Sequence, residues 1–266
     1  MDILRNDNIT NKNWGDKICK YIYNKITNTN ISNNTHFFDN IYNYTDHYLT
    51  VGSILQYSNK HSIIWGTGFM TYMDLRNFKL KKICSVRGPL TRLLLKSYNI
   101  NCPDIYGDPA LLMPLFYKPS IKKKYTMGII PHYSQFKVCK KMDINNINYK
   151  IINIAEENNE EKFIDDILSC NIILSSSLHG IIVAHAYNIP TVWISINNTV
   201  PSGNLFKYFD YFLSVGLTID EPLYNISNSQ DIDTLINKIN NNIELISKPV
   251  INYNKILDSC PFLDKI

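Results

Sequence analysis

Three serines and a histidine at the end of an apolar run form the segment best suited to chemistry on an anion. The run is typical of a buried strand, and it is followed by Ser175, Ser176, Ser177, His179 and Gly180. Hydroxyls and free backbone N–H groups at the start of a helix bind anions, and the helix dipole adds to the attraction. His179 could donate a hydrogen bond or a proton to the bound group. The pattern would equally suit a serine-capped helix with a structural histidine.

An arginine at the end of another apolar run is a second candidate for anion binding. Arg87 precedes Gly88 and Pro89, and a proline fits the first turn of a helix because its missing N–H would be unpaired there. The guanidinium could bind a carboxylate or phosphate through two nitrogens. A salt bridge that holds the loop is the alternative.

Other polar side chains lie at similar boundaries. Asp16 and Asp108 each precede a helical or apolar segment, where an aspartate either caps a helix or serves as a catalytic carboxylate; for Asp108 we favour the cap. His132 follows a predicted strand and is either a site residue or a solvated loop histidine. Ser53 belongs to a glycine-containing loop that permits close approach of a ligand. His185 lies among apolar residues and is interpreted as a core histidine.

Short apolar runs alternate with segments of helical period, which predicts an α/β fold with mostly parallel sheets. Strands are predicted at residues 48–54, 62–65, 82–86, 126–131, 150–154, 171–175 and 191–195, and helices at 17–26, 89–97, 160–169, 181–187, 205–215 and 231–245. In open parallel sheets, ligands bind beyond the C-terminal ends of the strands. The candidate residues fall at such ends.

The weakest pattern lies at residues 118–124, which are basic and contain a proline. We place a boundary there, between an N-terminal Rossmann-like lobe at residues 1–120 and a C-terminal Rossmann-like lobe at 121–266. Two such lobes facing a cleft would form a GT-B-like arrangement.

Composition excludes several classes of protein. The net charge of +4 is spread along the chain and basic residues do not alternate with aromatic ones, which argues against nucleic-acid binding. The six cysteines form no CxxC pair, so neither a zinc site nor a disulfide scaffold is indicated. No apolar leader and no membrane-spanning stretch is visible, and we expect a cytoplasmic protein. No GxGxxG, P-loop or GxSxG motif occurs.

Seven short motifs together resemble the polysaccharide pyruvyl transferase family, in order as well as in content. They are Asn13-Trp14-Gly15-Asp16, Gly52-Ser53, Gly66-Thr67-Gly68, Val86-Arg87-Gly88-Pro89-Leu90-Thr91, Gly107-Asp108-Pro109-Ala110, Pro131-His132-Tyr133 and Ser175-Ser-Ser-Leu-His-Gly180. The resemblance implies a GT-B-like pair of lobes, phosphoenolpyruvate as donor on the C-terminal side, a saccharide diol as acceptor on the N-terminal side, and no metal or other cofactor.

The resemblance also implies roles for single residues. His179 would lie against the donor, Arg87 would be the arginine of the family and Asp16 its N-terminal aspartate. Many relatives carry an arginine where this chain has Ser177, so Arg87, Lys137 or the helix terminus would have to replace it. Relatives often place an aspartate after Pro-His-Tyr, where this chain has Ser134 and Gln135.

The donor chemistry suggests a mechanism. Phosphoenolpyruvate becomes electrophilic at C2 when C3 is protonated, and we predict His179 as the acid, with His132 as the second choice. Asp16 would be the base for the acceptor hydroxyl. The anion would be held by Arg87, Lys137, Ser176, Ser177 and Gly180, and the acceptor, whether free, nucleotide-linked or lipid-linked, by Trp14, Ser53 and Asp108.

Two other readings remain open at this point. A GT-B glycosyltransferase using a nucleotide sugar would need a carboxylate near the ribose, for which Glu156 and Glu157 are the candidates. A non-catalytic glycan-binding protein of the same fold is the other, favoured by the serine at position 177 and disfavoured by the presence of His179, Arg87 and Asp16 together.

Overall fold

A computed structural model describes residues 2–5, 13–29, 35–36, 45–142, 148–155, 159–200, 205–219, 222, 224–241 and 248–263. Within these ranges the chain forms two five-stranded sheets in which every pair of neighbouring strands is parallel. The α/β class with parallel sheets is therefore confirmed. None of the described helices is long and apolar enough to cross a membrane.

The first sheet has the strand order β2-β1-β3-β4-β5. Its strands are β1 (Asp2–Arg5), β2 (Thr35–His36), β3 (His47–Leu49), β4 (Ser62–Trp65) and β5 (Lys82–Ser85), accompanied by helices α1 (Trp14–Thr27) and α2 (Pro89–Ser97). All four residues of β4 are buried, as expected for a parallel strand covered on both faces. In α1, the buried residues Ile18, Ile22 and Ile26 recur every four positions and form its core-facing side.

The second sheet has the order β10-β9-β8-β6-β7. Its strands are β6 (Tyr125–Ile130), β7 (Tyr149–Ile151), β8 (Cys170–Ser175), β9 (Thr191–Ile196) and β10 (Tyr224–Ile226). The remaining helices are α3 (Met113–Phe116), α4 (Phe136–Cys139), α5 (Glu160–Leu168), α6 (Leu178–Ala186), α7 (Phe206–Ser214), α8 (Ser229–Asn241) and α9 (Tyr253–Asp258). All nine residues of α6 are buried, because this helix follows the central strand β8 and is covered by its neighbours.

Each predicted strand and helix overlaps an observed one, but several bounds differ. The strand predicted at 48–54 ends at Leu49, and the helix predicted at 181–187 already begins at Leu178, so His179 lies inside it. Residues 242–245 of the last predicted helix lie outside the described residues. The elements without a prediction are β1, β2, β10, α3, α4 and α9, which are two to six residues long and too short for a periodic pattern.

One of three hydrophobic clusters spans both sheets and joins them, while each sheet has a further cluster of its own. The rings of Trp14 in α1 and Phe163 in α5 lie 5.2 Å apart. The end of the chain returns to the first sheet, where Phe262 contacts Trp65 at 5.2 Å between ring centroids and Trp65 Nε1 donates to the carbonyl of Ile256 at 3.0 Å. The division at residues 1–120 and 121–266 stays a prediction, and α9, from the second range, packs on the first.

Candidate functional site

A pocket of about 110 Å³ lies where loops after strands of both sheets meet. Its lining comes from the start of α1, the loops after β3, β4, β6 and β8, and the start of α7, and consists of Asn13, Asp16, Ser53, Ile54, Met70, His132, Tyr133, Ser177, Leu178, His179 and Lys207. This is the edge at which parallel sheets bind ligands. Five of the sequence-predicted site residues line it: Asp16, Ser53, His132, Ser177 and His179.

His179 stands in the first turn of α6, with only 7% of the residue exposed. Its Nε2 faces Asp108 Oδ2 at 3.8 Å and has no hydrogen-bond partner among the described residues. Burial, together with the positive charges of Arg87 and Lys207, lowers the pKa of His179 to about 3. The imidazole is therefore neutral at pH 7.

Asp108 lies behind His179 and does not line the pocket. It caps the 3₁₀ helix Pro109–Leu112, accepting from Ala110 N at 3.0 Å and from Gly52 N at 3.4 Å. Burial raises the pKa of Asp108 to about 6. Because His179 is neutral and 3.8 Å exceeds hydrogen-bond length, the two side chains form neither an ion pair nor a hydrogen bond at pH 7. The capping role favoured from the sequence is observed, and the side chain of Asp108 is fully buried outside the pocket lining.

The ring of His179 packs directly against the first turn of α1. A Cβ atom on Gly15 would lie 2.0 Å from Nδ1 of His179, so a side chain fits there only if the ring moves. Asn13 caps the same turn by accepting from Gly15 N at 3.2 Å. Asp16, one residue farther, reaches the pocket. The Asn-Trp-Gly-Asp motif thereby brings a carboxylate and the histidine into one cavity.

The serines before α6 divide into structural and pocket-lining residues. Ser175 Oγ donates to the carbonyl of Ile130 at 3.0 Å, and Ser176 Oγ accepts from the backbone N–H of His132 at 3.0 Å. These bonds tie the ends of β8 and β6 together. Ser177 precedes α6, makes no side-chain capping bond to it, and lines the pocket. Gly180 packs against the ends of β8 and β6, where a Cβ would lie 2.5 Å from Ser175 Oγ. Ser176 and Gly180 thus have structural contacts and lie outside the lining.

His132 follows β6 and lines the pocket with 6% of its surface exposed, so it is not a solvated loop histidine. Its Nδ1 lies 2.8 Å from Ser134 Oγ. Burial and the charge of Lys207 lower the pKa of His132 to about 3.

Arg87 is completely buried and forms the salt bridge that was one of its two predicted alternatives. Its Nε and Nη2 both lie 3.1 Å from Oδ2 of Asp210 in α7, and Nη1 donates to Ser53 Oγ at 2.5 Å. A Cβ on Gly88 would lie 1.8 Å from the carbonyl oxygen of Asp210, which explains the glycine that follows the arginine. Arg87 does not line the pocket, but it donates to Ser53, which does.

Two other predicted residues lie away from the pocket. Trp14 is buried in the core and donates from Nε1 to the carbonyl of Glu160 at 2.8 Å, so its ring is not offered to a sugar. Lys137 is exposed on α4, outside the lining. Glu156 and Glu157 lie outside the described residues. Within the described ranges, no group of three or more His, Cys, Asp or Glu side chains could hold a metal ion.

Sequence reasoning missed Lys207, the second residue of α7. Only 6% of it is exposed, and it lines the pocket. Burial, supported by the charge of Arg87 and opposed by that of Asp16, lowers the pKa of Lys207 to about 8. One signal was present in the sequence: Lys207, Asp210 and Tyr211 are spaced as one face of a helix, and here that face is buried. A lysine on the core-facing side of a helix indicates a structural or functional role, because burying its charge costs free energy.

Comparisons with known proteins identify the family of the chain. The family model for polysaccharide pyruvyl transferases matches residues 5–198. An uncharacterized protein of Acanthamoeba polyphaga mimivirus is 32% identical over 214 residues, which cover 79% of this chain and 73% of that protein. The succinoglycan biosynthesis protein ExoV of Rhizobium meliloti is 28% identical over 171 residues, covering 59% of this chain and 49% of ExoV. No solved structure matches the chain.

Proposed function

Because the chain belongs to the polysaccharide pyruvyl transferase family, we propose that it moves pyruvate from phosphoenolpyruvate onto two hydroxyls of a saccharide. The product is a cyclic ketal, and phosphate is released. The observation that carries the proposal is the meeting of His179, His132, Asp16 and Lys207 in one pocket. The similarity to ExoV, whose name places it in succinoglycan biosynthesis, supports a role in glycan synthesis.

In the proposed reaction, His179 gives a proton to C3 of the donor, which makes C2 electrophilic. The first sugar hydroxyl adds to C2 and loses its proton to Asp16. The C2–O bond to phosphate then breaks, and phosphate leaves with the bonding electron pair. The second hydroxyl adds to C2 and gives its proton to His179, which is neutral after the first step and is thereby restored as the acid. General acid catalysis of this kind typically contributes about 10²- to 10⁴-fold.

The electrostatics of His179 suit this role once the donor is considered. Burial is the largest cause of its lowered pKa, and the charges of Arg87 and Lys207 add to it. A bound phosphoenolpyruvate anion would offset both positive charges and so raise the pKa of His179, which favours its protonated, acidic form.

The size of the pocket indicates how donor and acceptor would be arranged. A cavity that holds a single water has a volume of at least about 10–15 Å³. A pocket of about 110 Å³ therefore suits a small anion and not an oligosaccharide. The acceptor would lie at the mouth, near Ser53 and Tyr133. We include in the proposal that the two sheets belong to Rossmann-like lobes facing a cleft, that no cofactor is needed, and that the reaction takes place in the cytoplasm.

The test is phosphate release from phosphoenolpyruvate by the purified protein with a panel of hexoses, N-acetylhexosamines and their nucleotide- and lipid-linked forms. Acceptor-dependent release, with a mass gain of one acid-labile pyruvyl ketal, is the expected result. His179→Gln should abolish it, whereas His61→Gln, at a histidine outside the pocket, should not. A protein that neither binds phosphoenolpyruvate nor releases phosphate from it would contradict the proposal.

A further inference from the structure

A groove of about 770 Å³ lies beside the pocket, between two connections of the first sheet. It is lined by residues 56, 58–60, 73, 74 and 76–79, which belong to the connections from β3 to β4 and from β4 to β5. The side chain of Gln56 separates groove and pocket, because its Nε2 donates to the carbonyl of Ser53 at 2.7 Å and its Oε1 accepts from Met70 N at 3.4 Å. Ser53 and Met70 both line the pocket. The groove therefore begins where the acceptor is expected to lie.

The groove leads away from the pocket along the sheet. Gln56 follows the C-terminal end of β3, the edge at which the pocket lies, whereas Lys60 and Lys79 come shortly before β4 and β5 begin. Near this far end, Ser58 Oγ donates to the carbonyl of Lys79 at 3.4 Å and links the two connections. The groove thus runs past the length of β4, whose four residues span about 13 Å at roughly 3.3 Å per residue. A chain of sugar residues suits this shape better than a single hexose.

The lining offers both apolar and polar groups to a ligand. Met73 and Phe78 are half-buried and pack on the core cluster of the first sheet, with the rings of Phe78 and Phe69 5.6 Å apart. Asn59 and Asn77 add amide groups to the lining. A sugar has apolar ring faces and an edge of hydroxyls, so a surface that combines apolar side chains with a few polar groups can bind it.

Two lysines give the groove a net positive charge. Lys60 and Lys79 are exposed in it and form no salt bridge with any residue that the structure describes. Arg76, the third basic residue of the lining, lies 2.5 Å from Asp74 between Nη2 and Oδ2, so these two charges cancel. A ligand that carries carboxylate or phosphate groups is attracted by the two remaining charges.

We propose that this groove binds the acceptor as an extended, negatively charged saccharide chain. The sugar that receives the pyruvate lies at the mouth of the pocket, and its neighbours in the chain lie along Met73 and Phe78. Lys60 and Lys79 then contact acidic groups at least one sugar away from the ketal. The inference rests on the proposed function for the reaction at the pocket, whereas binding of the chain to the groove can be measured without that reaction. The acceptor is thus an acidic oligosaccharide or polysaccharide, in preference to a free hexose.

The experiment measures binding of galacturonic acid, its dimer and its tetramer by calorimetry at pH 7, without donor, at low and at high salt. Affinity should rise with chain length and fall with salt, because salt screens exposed charges. The methyl ester of the tetramer has the same length without the charge and should bind more weakly. A phosphorylated mannose tetramer tests phosphate as the source of the charge.

Lys60→Met combined with Lys79→Met should weaken binding of the acidic tetramer about three- to thirtyfold, the range for loss of two exposed ion pairs. Lys96→Met combined with Lys122→Met removes the same charge at exposed lysines outside the groove and should leave the affinity unchanged. All four lysines are exposed, so thermal unfolding of both double variants should match that of the wild type.

Binding of either acidic tetramer that depends on Lys60 and Lys79 would support the inference, and the tetramer that binds more tightly would assign the charge to carboxylate or to phosphate. Binding of neither acidic tetramer, or equal affinity of the wild type and the Lys60 and Lys79 double variant, would overturn the inference and leave the proposed function intact. A neutral ester that bound as tightly as the acid would overturn the acidic acceptor. A glutamate tetrapeptide that bound as tightly would overturn the saccharide, because the groove would then recognise charge alone. Lysine-dependent binding of the saccharide without turnover of phosphoenolpyruvate on any acceptor would keep the groove and overturn the proposed function.

Discussion

At the residue scale, His179 and His185 lie on one helix and are similarly buried, but the causes of their lowered pKa values differ. Burial lowers the pKa of both to about 3. For His185 burial is the whole cause, and its Nδ1 lies 2.8 Å from the hydroxyl of Tyr211. For His179 the positive charges of Arg87 and Lys207 add to it. Only the pKa of His179 should therefore change when an anion enters the pocket.

We predict that saturating phosphate raises the pKa of His179, because the anion offsets the two cations that depress it. The measurement is a pH titration of ¹⁵N-labelled histidine by NMR, with His179→Gln used to assign the signal. His185 is the internal control and should keep its pKa. If both histidines behaved alike with and without phosphate, the electrostatic coupling between the pocket and His179 would be refuted.

At the element scale, the contact between the first turns of α1 and α6 determines where Asp16 and His179 lie. Gly15→Ala should improve the propensity of α1 by about 1 kcal/mol but force the His179 ring to move, since a Cβ would lie 2.0 Å from Nδ1. A displacement of about 1 Å can cost about 10²-fold in rate. We expect kcat to fall by that order while the protein stays folded.

Steady-state phosphate release and circular dichroism would check this expectation, with Lys25→Ala, at the exposed far end of α1, as the control. A Gly15→Ala protein with normal kcat would show that the position of the His179 ring is not critical. Loss of the folded state would instead show that the clash is relieved by moving the helix.

The loop after β5 is fixed to α7 by the ion pair of Arg87 and Asp210, in which neither side chain is exposed. Breaking a buried pair by removing one partner typically costs about 3–5 kcal/mol. We predict a loss of this size in the free energy of unfolding for Arg87→Met. Arg87→Met combined with Asp210→Asn should lose less than the sum of the single changes, because no unpaired charge remains and the amide oxygen can still accept from Thr91 N. Urea unfolding measures all three.

The same variants decide between the two alternatives for Arg87. A folded double variant that still binds phosphoenolpyruvate would show a structural arginine, whereas loss of binding in that variant would restore the role of an anion clamp. A cost below about 1 kcal/mol for Arg87→Met alone would contradict the ion-pair argument.

Sequence reasoning reached the parallel α/β fold because its strands and helices carry clear periodic patterns, as in α2, whose bounds were predicted without error. It also predicted His179, Asp16 and His132, which line the pocket, because each follows or precedes an element next to a recognisable motif. It could not separate Ser176 from Ser177, since which hydroxyl turns inward depends on tertiary packing. Lys207 was missed because its burial results from the approach of α7 to loops of both sheets.

At the scale of the whole molecule, the site depends on the joining of the two sheets. Asp16 and Ser53 come from the first, and His132 and His179 from the second. The end of the chain supports the junction from behind, where Ile256 lies against Gly107, so that a Cβ there would be 2.4 Å from Ile256 Cδ1. Asp108 follows directly, and its Oδ2 lies 3.8 Å from Nε2 of His179. Contacts between the two parts of the chain thus serve both stability and the site.

This junction also determines how the stability of the whole protein depends on pH. His132, His179 and His185 have pKa values lowered from 6.5 to about 3, so below pH 6.5 the unfolded chain binds protons that the folded chain does not, and their contribution to stability is lost as the pH falls. Asp108 acts in the opposite sense between pH 3.8 and about 6, because its pKa is raised in the folded state.

Three histidines outweigh one aspartate, so we predict that the free energy of unfolding falls by roughly 2–3 kcal/mol per pH unit between pH 6 and 5. Urea unfolding across pH 5–8 measures this free energy. His185→Gln should make its decline shallower, because unfolding would then take up about one proton fewer. Constant stability from pH 7 to 5 would mean that the three histidines are protonated in the folded protein. His179 would then already carry the positive charge that we assign to it only with a bound donor.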